Sequence, residues 1–559
     1  MPLKGDKMKI VLCALNSKYI HTNLAVRYIK AYADAHSKNA DCVIAEDTVN
    51  GNINETAEKI LLHKPDAVAF SCYIWNISHM ITLCKLVKSA NPGITVILGG
   101  PEVSFNPSDY VALDYVDYVV CGDGEKPMTA LFDALAVGGE IPENMGICYK
   151  NIIEKPYCEK NLCDIESPYT DEYLQMVKGR IAYMESTRGC PFSCAFCLSG
   201  ADKGVRYFDE EYIKTAIIRI WNSGAKTAKF IDRTFNANKA HCDMIISFIL
   251  DNYENMPKMC FHFEIAADIL ADSTMGLLSK APKGLFQIEA GLQSFNHHTL
   301  EAVMRKTDTD KICENVKKLV SFGNIHTHID LIAGLPHEDF ESFRDSFNKA
   351  YSVGAHMLQL GFLKLLHGSR LRSEAQNHGF VYSNNAPYEI ISTNWITAEE
   401  MDHLRAVEDA NEKIANSGRF RRSIEYVLSV SGMTPFDSFL GFGKKESMPL
   451  DDYTALVFEY FVSLDGVDKA VLRDKMCCDR LETNKSGKLP KALQIQDKLL
   501  AKVTYLLEIN PKTAPEKGIK RGVCILYSEN KVVYADYEGE MEKYPLNFVD
   551  MSVILEEEK

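Results

Sequence analysis

No stretch of this 559-residue chain reaches the roughly 20 consecutive apolar residues that a membrane helix requires. The N-terminus, "MPLKGDKMKIVLCALNS", turns polar after one short apolar run and does not read as a secretory signal. A soluble, cytoplasmic protein without a membrane partner is expected. Long Lys/Arg runs are missing too, and the formal net charge is -14, so the electrostatics that drive nonspecific nucleic-acid binding are lacking. No nucleic-acid partner is expected. A disulfide framework is excluded by similar reasoning. The 17 cysteines are odd in number and follow no secretory signal, so they read as reduced thiols, some buried and some metal ligands. Internal repeats and low-complexity tracts are absent as well. What is present, 46% hydrophobic and 25% charged residues, suits two to four cored domains.

Residues 8 to 122 alternate helical patterns with short apolar runs: "KIVLCAL", "DCVIAED", "AVAFSCY", "TVILGG" and "YVDYVVCG". Such alternation predicts a parallel sheet covered on both faces, with ligands bound at the strand C-termini. Residues 123 to 180, with several Pro and acidic residues, read as the end of this domain and a connector. A second series runs through "IAYMEST", "KFIDRTF", "FHFEIAAD", "LFQIEAGLQS", "HIDLIAGLP" and "MLQLGFLKLL". Six strand-helix units predict a barrel or partial barrel whose chemistry sits at the strand C-termini. Glu185, Asp232, Glu264, Gln293 and Asp330 cluster there in sequence. After about residue 396 come charged helical segments, then "GVCILYS" and "VVYADY" across a short polar turn, which predicts a hairpin. The expected class is α/β. A doubly wound, flavodoxin/Rossmann-like domain (1–150) and a linker (151–180) precede a partial (β/α)6 TIM-type barrel (181–395). A smaller, mostly helical domain with a β-hairpin (396–559) ends the chain.

Three cysteines crowd into "ESTRGCPFSCAFCLSG": Cys190, Cys194 and Cys197, spaced C-x3-C-x2-C. A zinc site usually wants four ligands in two pairs, and no fourth Cys or His follows at zinc-finger spacing. Three thiolates on an iron-sulfur cluster leave one iron open to a substrate or cofactor. Cys477 and Cys478 are adjacent, a poor geometry for chelation, and read as ordinary thiols. His297 with His298, and His326 with His328, lack a completing ligand set and read as structural.

The cysteine spacing, with Phe196 before the last cysteine and a strand before the first, resembles the signature of the radical S-adenosylmethionine (radical SAM) family. The resemblance implies a [4Fe-4S] cluster on Cys190, Cys194 and Cys197 whose open iron binds SAM and cleaves it to a 5′-deoxyadenosyl radical. "EAGLQSFN" resembles the fourth-strand segment of these barrels, placing Gly291, Gln293 and Ser294 near SAM, with Arg305 following. "DLIAGLPHED" resembles the fifth, where Ile332 to Leu335 would pass the adenine. Glu264 lies where this group often places a polar contact to SAM. For each acidic residue alone, a capped or paired carboxylate at a strand end remains the plainer reading.

The N-terminal domain resembles the cobalamin-binding domain fused ahead of many radical SAM enzymes. On that resemblance Gly99, Gly100 and Pro101 after the fourth strand, and Gly122, Gly124 and Glu125 after the fifth, would let backbone approach a large flat ligand. Ser71 would bond its base or phosphate side. The chain departs from the Asp-x-His-x-x-Gly motif that supplies a cobalt ligand in some such domains. His21 stands near that place, with Asn16, Tyr19 and Asn23 in the same loop, so the axial ligand stays open. The resemblance implies a cobalamin-dependent radical SAM enzyme that transfers a methyl group from methylcobalamin to an unactivated carbon of a small molecule or peptide. Its electron donor would be a protein such as flavodoxin or ferredoxin. Ring formation or rearrangement without methylation, and a cobalamin-binding sensor with an inactive barrel, are the alternatives.

Overall fold

The computed structural model describes residues 7–200, 204–496, 498–510, 512–541 and 543–556. The five expected N-terminal runs form β1 (Met8–Asn16), β2 (Ala40–Thr48), β3 (Ala67–Ser71), β4 (Thr95–Gly99) and β5 (Tyr118–Val120). A short β6 (Ile147–Cys148), not expected, closes the sheet antiparallel to β5. The order is β2-β1-β3-β4-β5-β6, with the first five strands parallel, so the chain reverses direction across the sheet between β1 and β3. Period-2 alternation fills both faces: Val11, Cys13 and Leu15 enter one core, Ile10, Leu12 and Ala14 the other.

Residues 151–180, expected as a linker, are built in: Leu162, Ile165, Tyr169 and Tyr173 are buried, and Tyr157 bridges Gly122. β7 (Ile181–Met184) follows, then β8 (Thr187–Cys190), which pairs antiparallel with β9 (Gly204–Tyr207). β10 (Thr227–Phe230), β11 (Cys260–Ile265), β12 (Phe286–Gln293) and β13 (His326–Ala333) pair in parallel, β7 joining beside β10. The sixth expected run also forms a strand, β14 (Met357–Phe362). Their outward positions, such as Phe261, Phe263, Phe286 and Ile288, are fully buried under helices, so the strands hold a half-barrel whose inner face is free for other residues.

The chain divides into two compact units. One holds the described residues up to Phe343 with Val353–Ala355 and Gly361–Thr397. The other holds Arg344–Ser352, His356–Leu360 and the described residues from Ala398 onward. The second unit is mostly helical, with Leu450–Val462 and Lys469–Thr483 among its longest helices. The predicted hairpin is present as Lys520–Leu526 with Lys531–Tyr537, and a third strand, Asn547–Asp550, extends it. No described helix is long and apolar enough to cross a membrane.

Candidate active site

The half-barrel's inner face follows from alternation. Lys229 on β10, His262 and Glu264 on β11, Gln287, Glu289, Gly291 and Gln293 on β12, and His326, His328 and Asp330 on β13 all take the phase opposite to the buried aromatics. A barrel interior of this kind is ordinarily filled by branched apolar residues; here it is a polar network. Lys229 Nζ lies 3.3 Å from Glu264 and 3.4 Å from Glu289, and His262 Nε2 lies 3.0 Å from Glu289. Gln287 reaches His328 Nε2 at 2.8 Å, which meets His326 Nδ1 at 2.9 Å. Burial would raise Glu289, but the hydrogen bond from His262 and the charge of Lys229 hold it down to about 2. Burial, then the neighbouring Glu289, pushes Asp330 up to about 8. Burial, then the other two histidines, pushes His328 down to about 4. His297 and His298, by contrast, open an exposed helix.

Cys190 ends β8, and Cys194 and Cys197 follow in a tight turn closed by Cys197 N–H donating to the Cys194 carbonyl at 3.0 Å. Ala195, inside the triad, donates to Val303 and accepts from Leu371, so the loop is held from two sides. Cys190 Sγ sits 3.5 Å from Thr234 Oγ1. Arg305 reaches Cys194 Sγ at 3.7 Å and also the Gly291 carbonyl, so the residue expected to follow the fourth strand does meet the cysteine loop. Burial pushes the Cys194 thiol up, with Arg305 opposing. The β12 end is irregular: Gln293 takes φ +74°, and a Cβ on Gly291 would stand 2.4 Å from its Nε2. Gln293 Oε1, Arg305 Nε and Asp330 Oδ1 are buried without a protein partner among the described residues, which marks a place for a polar ligand. Not every expected SAM contact faces that place. Ser294 is fully buried, donating to Glu338 and accepting from the Asn296 amide, and Leu335 has no exposed surface. Phe196, Glu264 and Ile332 keep partial exposure. Asp232 is a brace: it accepts from Ser186 and Thr187 across the β7–β8 turn, and burial pushes it up to about 6.

A cavity of about 720 Å³ lies beyond the C-terminal ends of β3, β4 and β5. That size is toward the upper part of the range for small-molecule sites. Ser71, Gly99, Gly100, Pro101, Gly122, Gly124 and Glu125 line one side; Glu185, Thr187, Arg188, Ile231 and Arg233 line the other. The two glycine turns are also required by the protein's own backbone. A Cβ on Gly100 (φ +111°) would stand 2.5 Å from the Cys72 carbonyl oxygen, and one on Gly122 (φ +90°) 2.0 Å from that of Tyr157. The close approach is to the protein's own backbone, which leaves the loop edges free to face the cavity.

Asn16, Tyr19 and His21 are not among the residues that line this cavity. Asn16 donates to Glu46 and to the His21 carbonyl, and Tyr19 lies exposed over Arg180. His21 Nδ1 meets Tyr183 Oη at 2.6 Å, its pKa held down by burial and by Lys18, Lys229 and Arg180. The reading of the sequence missed Tyr28, Tyr73, Arg188 and Arg233, all cavity residues. Only Arg188, two residues before Cys190, carried a positional signal.

Residues 10–132 match the model of the B12 binding domain, 184–350 that of the radical SAM superfamily, and 376–514 that of a protein of unknown function (DUF4080). The chain is 28% identical over 333 residues to 2-(S-pantetheinyl)-carbapenam-3-carboxylate methyltransferase of Streptantibioticus cattleyicolor, covering 52% of this chain and 46% of that one. It is 25% identical over 403 residues to the cobalamin-dependent radical SAM methyltransferase TokK of Streptomyces tokunonensis, covering 64% and 55%. The chain thus spans about half the length of these two curated relatives. The cobalamin-dependent SAM radical enzyme OxsB, solved with aqua-cobalamin bound, shares the fold at a TM-score of 0.61 and 14% identity, over 82% of this chain and 72% of that one. The chain thus carries a B12-binding domain ahead of a radical SAM domain.

Proposed function

We propose that the protein is a cobalamin-dependent radical SAM methyltransferase acting on an unactivated carbon of a small molecule or peptide. The observation that carries this reading is the cavity. Its one wall is made by the glycine turns of the B12-binding region, and its other wall by the strand ends that lead into the Cys190 loop. A corrinoid on the first wall therefore faces the part of the barrel where SAM chemistry would take place. When bound, the cluster and SAM supply a carbon radical, and the corrinoid supplies a transferable methyl group.

The chain's own residues fit these groups. Cys190, Cys194 and Cys197 would hold the cluster, leaving one iron open. Gln293, Arg305 and Asp330 offer buried, unpartnered polar atoms for SAM, and the resemblance adds Glu264 and Phe196 as further contacts. Ser71 and the backbone of Gly99, Gly100 and Gly122 would cradle the corrinoid, and the two walls exclude water from the radical. On this reading residues 1–150 carry cobalamin, 181–395 carry the radical chemistry, and 396–559 select the substrate. Electrons would come from a flavodoxin- or ferredoxin-type donor.

The test is anaerobic incubation of the reconstituted protein with reductant, methyl-deuterated SAM and an extract of small molecules and peptides. Label appearing on a carbon of an organic acceptor is the expected result. SAM cleaved to 5′-deoxyadenosine with an unlabelled, cyclised or rearranged product would overturn methyl transfer.

A further inference from the structure

Arg188 stands at the centre of a buried ion cluster that none of the chemistry above uses. It projects from β8, two residues before Cys190, with its side chain only 12% exposed. Its Nη2 lies 2.6 Å from Glu125 and 2.7 Å from Glu185; Nε lies 3.0 Å from Glu185, and Nη1 3.5 Å from Asp123. Directly opposite on β9, Arg206 lies 2.6 Å from the other oxygen of Asp123. That same oxygen accepts the Glu159 amide at 2.8 Å. The Arg188 guanidinium also lies over the stacked Tyr28 and Phe208 rings, 5.1 and 5.6 Å from their centroids.

Two features make this more than a structural ion pair. Asp123 lies in the turn after β5 and Glu125 opens the helix that follows, both lining the cavity, whereas Glu185 lies between β7 and β8, and Arg188 and Arg206 belong to the β8–β9 pair that carries the first cysteine. Arg188 also lines the cavity itself. A planar, forked cation that bonds carboxylates from both sides fixes orientation as well as distance, which a lysine's point charge does less well.

We propose that Arg188 is a positioning residue: it registers the cobalamin-cradling turn against the strand that carries Cys190, and so sets one cofactor's orientation relative to the other. This rests on the two-cofactor reading above. Without Arg188 the three cysteines keep their own turn, whereas Asp123 and Glu125 lose the cation that ties them to Glu185. Misplacement by about 1 Å is enough to cost about 100-fold in a reaction between held groups.

The experiment compares reconstituted full-length wild type, Arg188→Lys, Arg188→Gln and Glu125→Gln. Iron and cobalamin contents are measured first, then 5′-deoxyadenosine, which needs the cluster site alone. S-adenosylhomocysteine, the remnant of SAM after methyl loss to the corrinoid, needs both sites in register. Arg188→Gln should keep both cofactors and 5′-deoxyadenosine formation while the S-adenosylhomocysteine ratio falls about tenfold or more. Arg188→Lys should restore part of the ratio, and Glu125→Gln should reproduce the fall. The electron paramagnetic resonance splitting between reduced cluster and cob(II)alamin should change in the same order. An unchanged ratio and splitting in loaded Arg188→Gln, or a parallel fall of both products, would overturn the proposal. If Arg188→Gln does not load, Glu125→Gln, which leaves Arg188 paired with Glu185, decides by the same ratio. A wild type that makes neither product contradicts the functional reading instead.

Discussion

Cys194 is held by its own turn and by Arg305, and is not among the residues that line the cavity. Cys194→Ala should therefore remove the cluster and 5′-deoxyadenosine formation while cobalamin binding, followed by visible absorbance, stays intact. His21→Ala should leave the spectrum of bound cob(II)alamin unchanged, because the imidazole is engaged with Tyr183 and stands apart from the cavity. A shift toward a five-coordinate, base-off spectrum would contradict that placement. Asp330 gives a prediction in pH. Its carboxyl is pushed up from 3.8 to about 8 by burial and Glu289. Between those values the native state keeps a proton that the unfolded state has lost, so stability falls as pH rises from about 4 to about 8 and levels off above. Asp330→Asn should flatten this fall and raise stability at pH 8.5, on the order of 1 kcal/mol or more, in urea titrations run at pH 6 and 8.5.

At the scale of elements, the sequence carried its strands more clearly than their purpose. The five apolar runs of the first sheet and the six of the second are where they were expected, because strands buried on one or both faces need such runs. β6 escaped because two residues carry no periodicity, and the third C-terminal strand because "NFVD" is short and largely exposed. The cysteine triad stood out by its spacing, and its reading as a cluster site came from the resemblance to the radical SAM signature. The ion cluster around Arg188 was not legible, since Glu125, Glu185 and Arg206 come together only through the packing of separate elements. His326 and His328 on β13 were read as structural and His262 on β11 was missed; nothing short of strand register could have joined them to Gln287, Glu289 and Lys229. The glycine turns have a further reason that the sequence did not show: a side chain at Gly122 would meet the backbone of Tyr157. Gly122→Ala should cost about 2–4 kcal/mol of stability, seen as a lowered melting temperature, and loosen the turn that holds Asp123 and Glu125. A melting curve like the wild type's would mean that the backbone there yields.

For the molecule as a whole, the account rests on one cavity within one compact unit, lined by the turns of the B12-binding region and by the strand ends that lead into the Cys190 loop. Its central claim is that the chain makes a radical and also moves a methyl group, each with SAM. The most direct measurement is to quantify 5′-deoxyadenosine and S-adenosylhomocysteine together from anaerobic protein reconstituted with iron, sulfide and cobalamin, then reduced with SAM present. The account predicts both products, the first lost in Cys194→Ala and the second lost without cobalamin. 5′-Deoxyadenosine formed at an undiminished rate with no S-adenosylhomocysteine, from protein loaded with both cofactors, would contradict it.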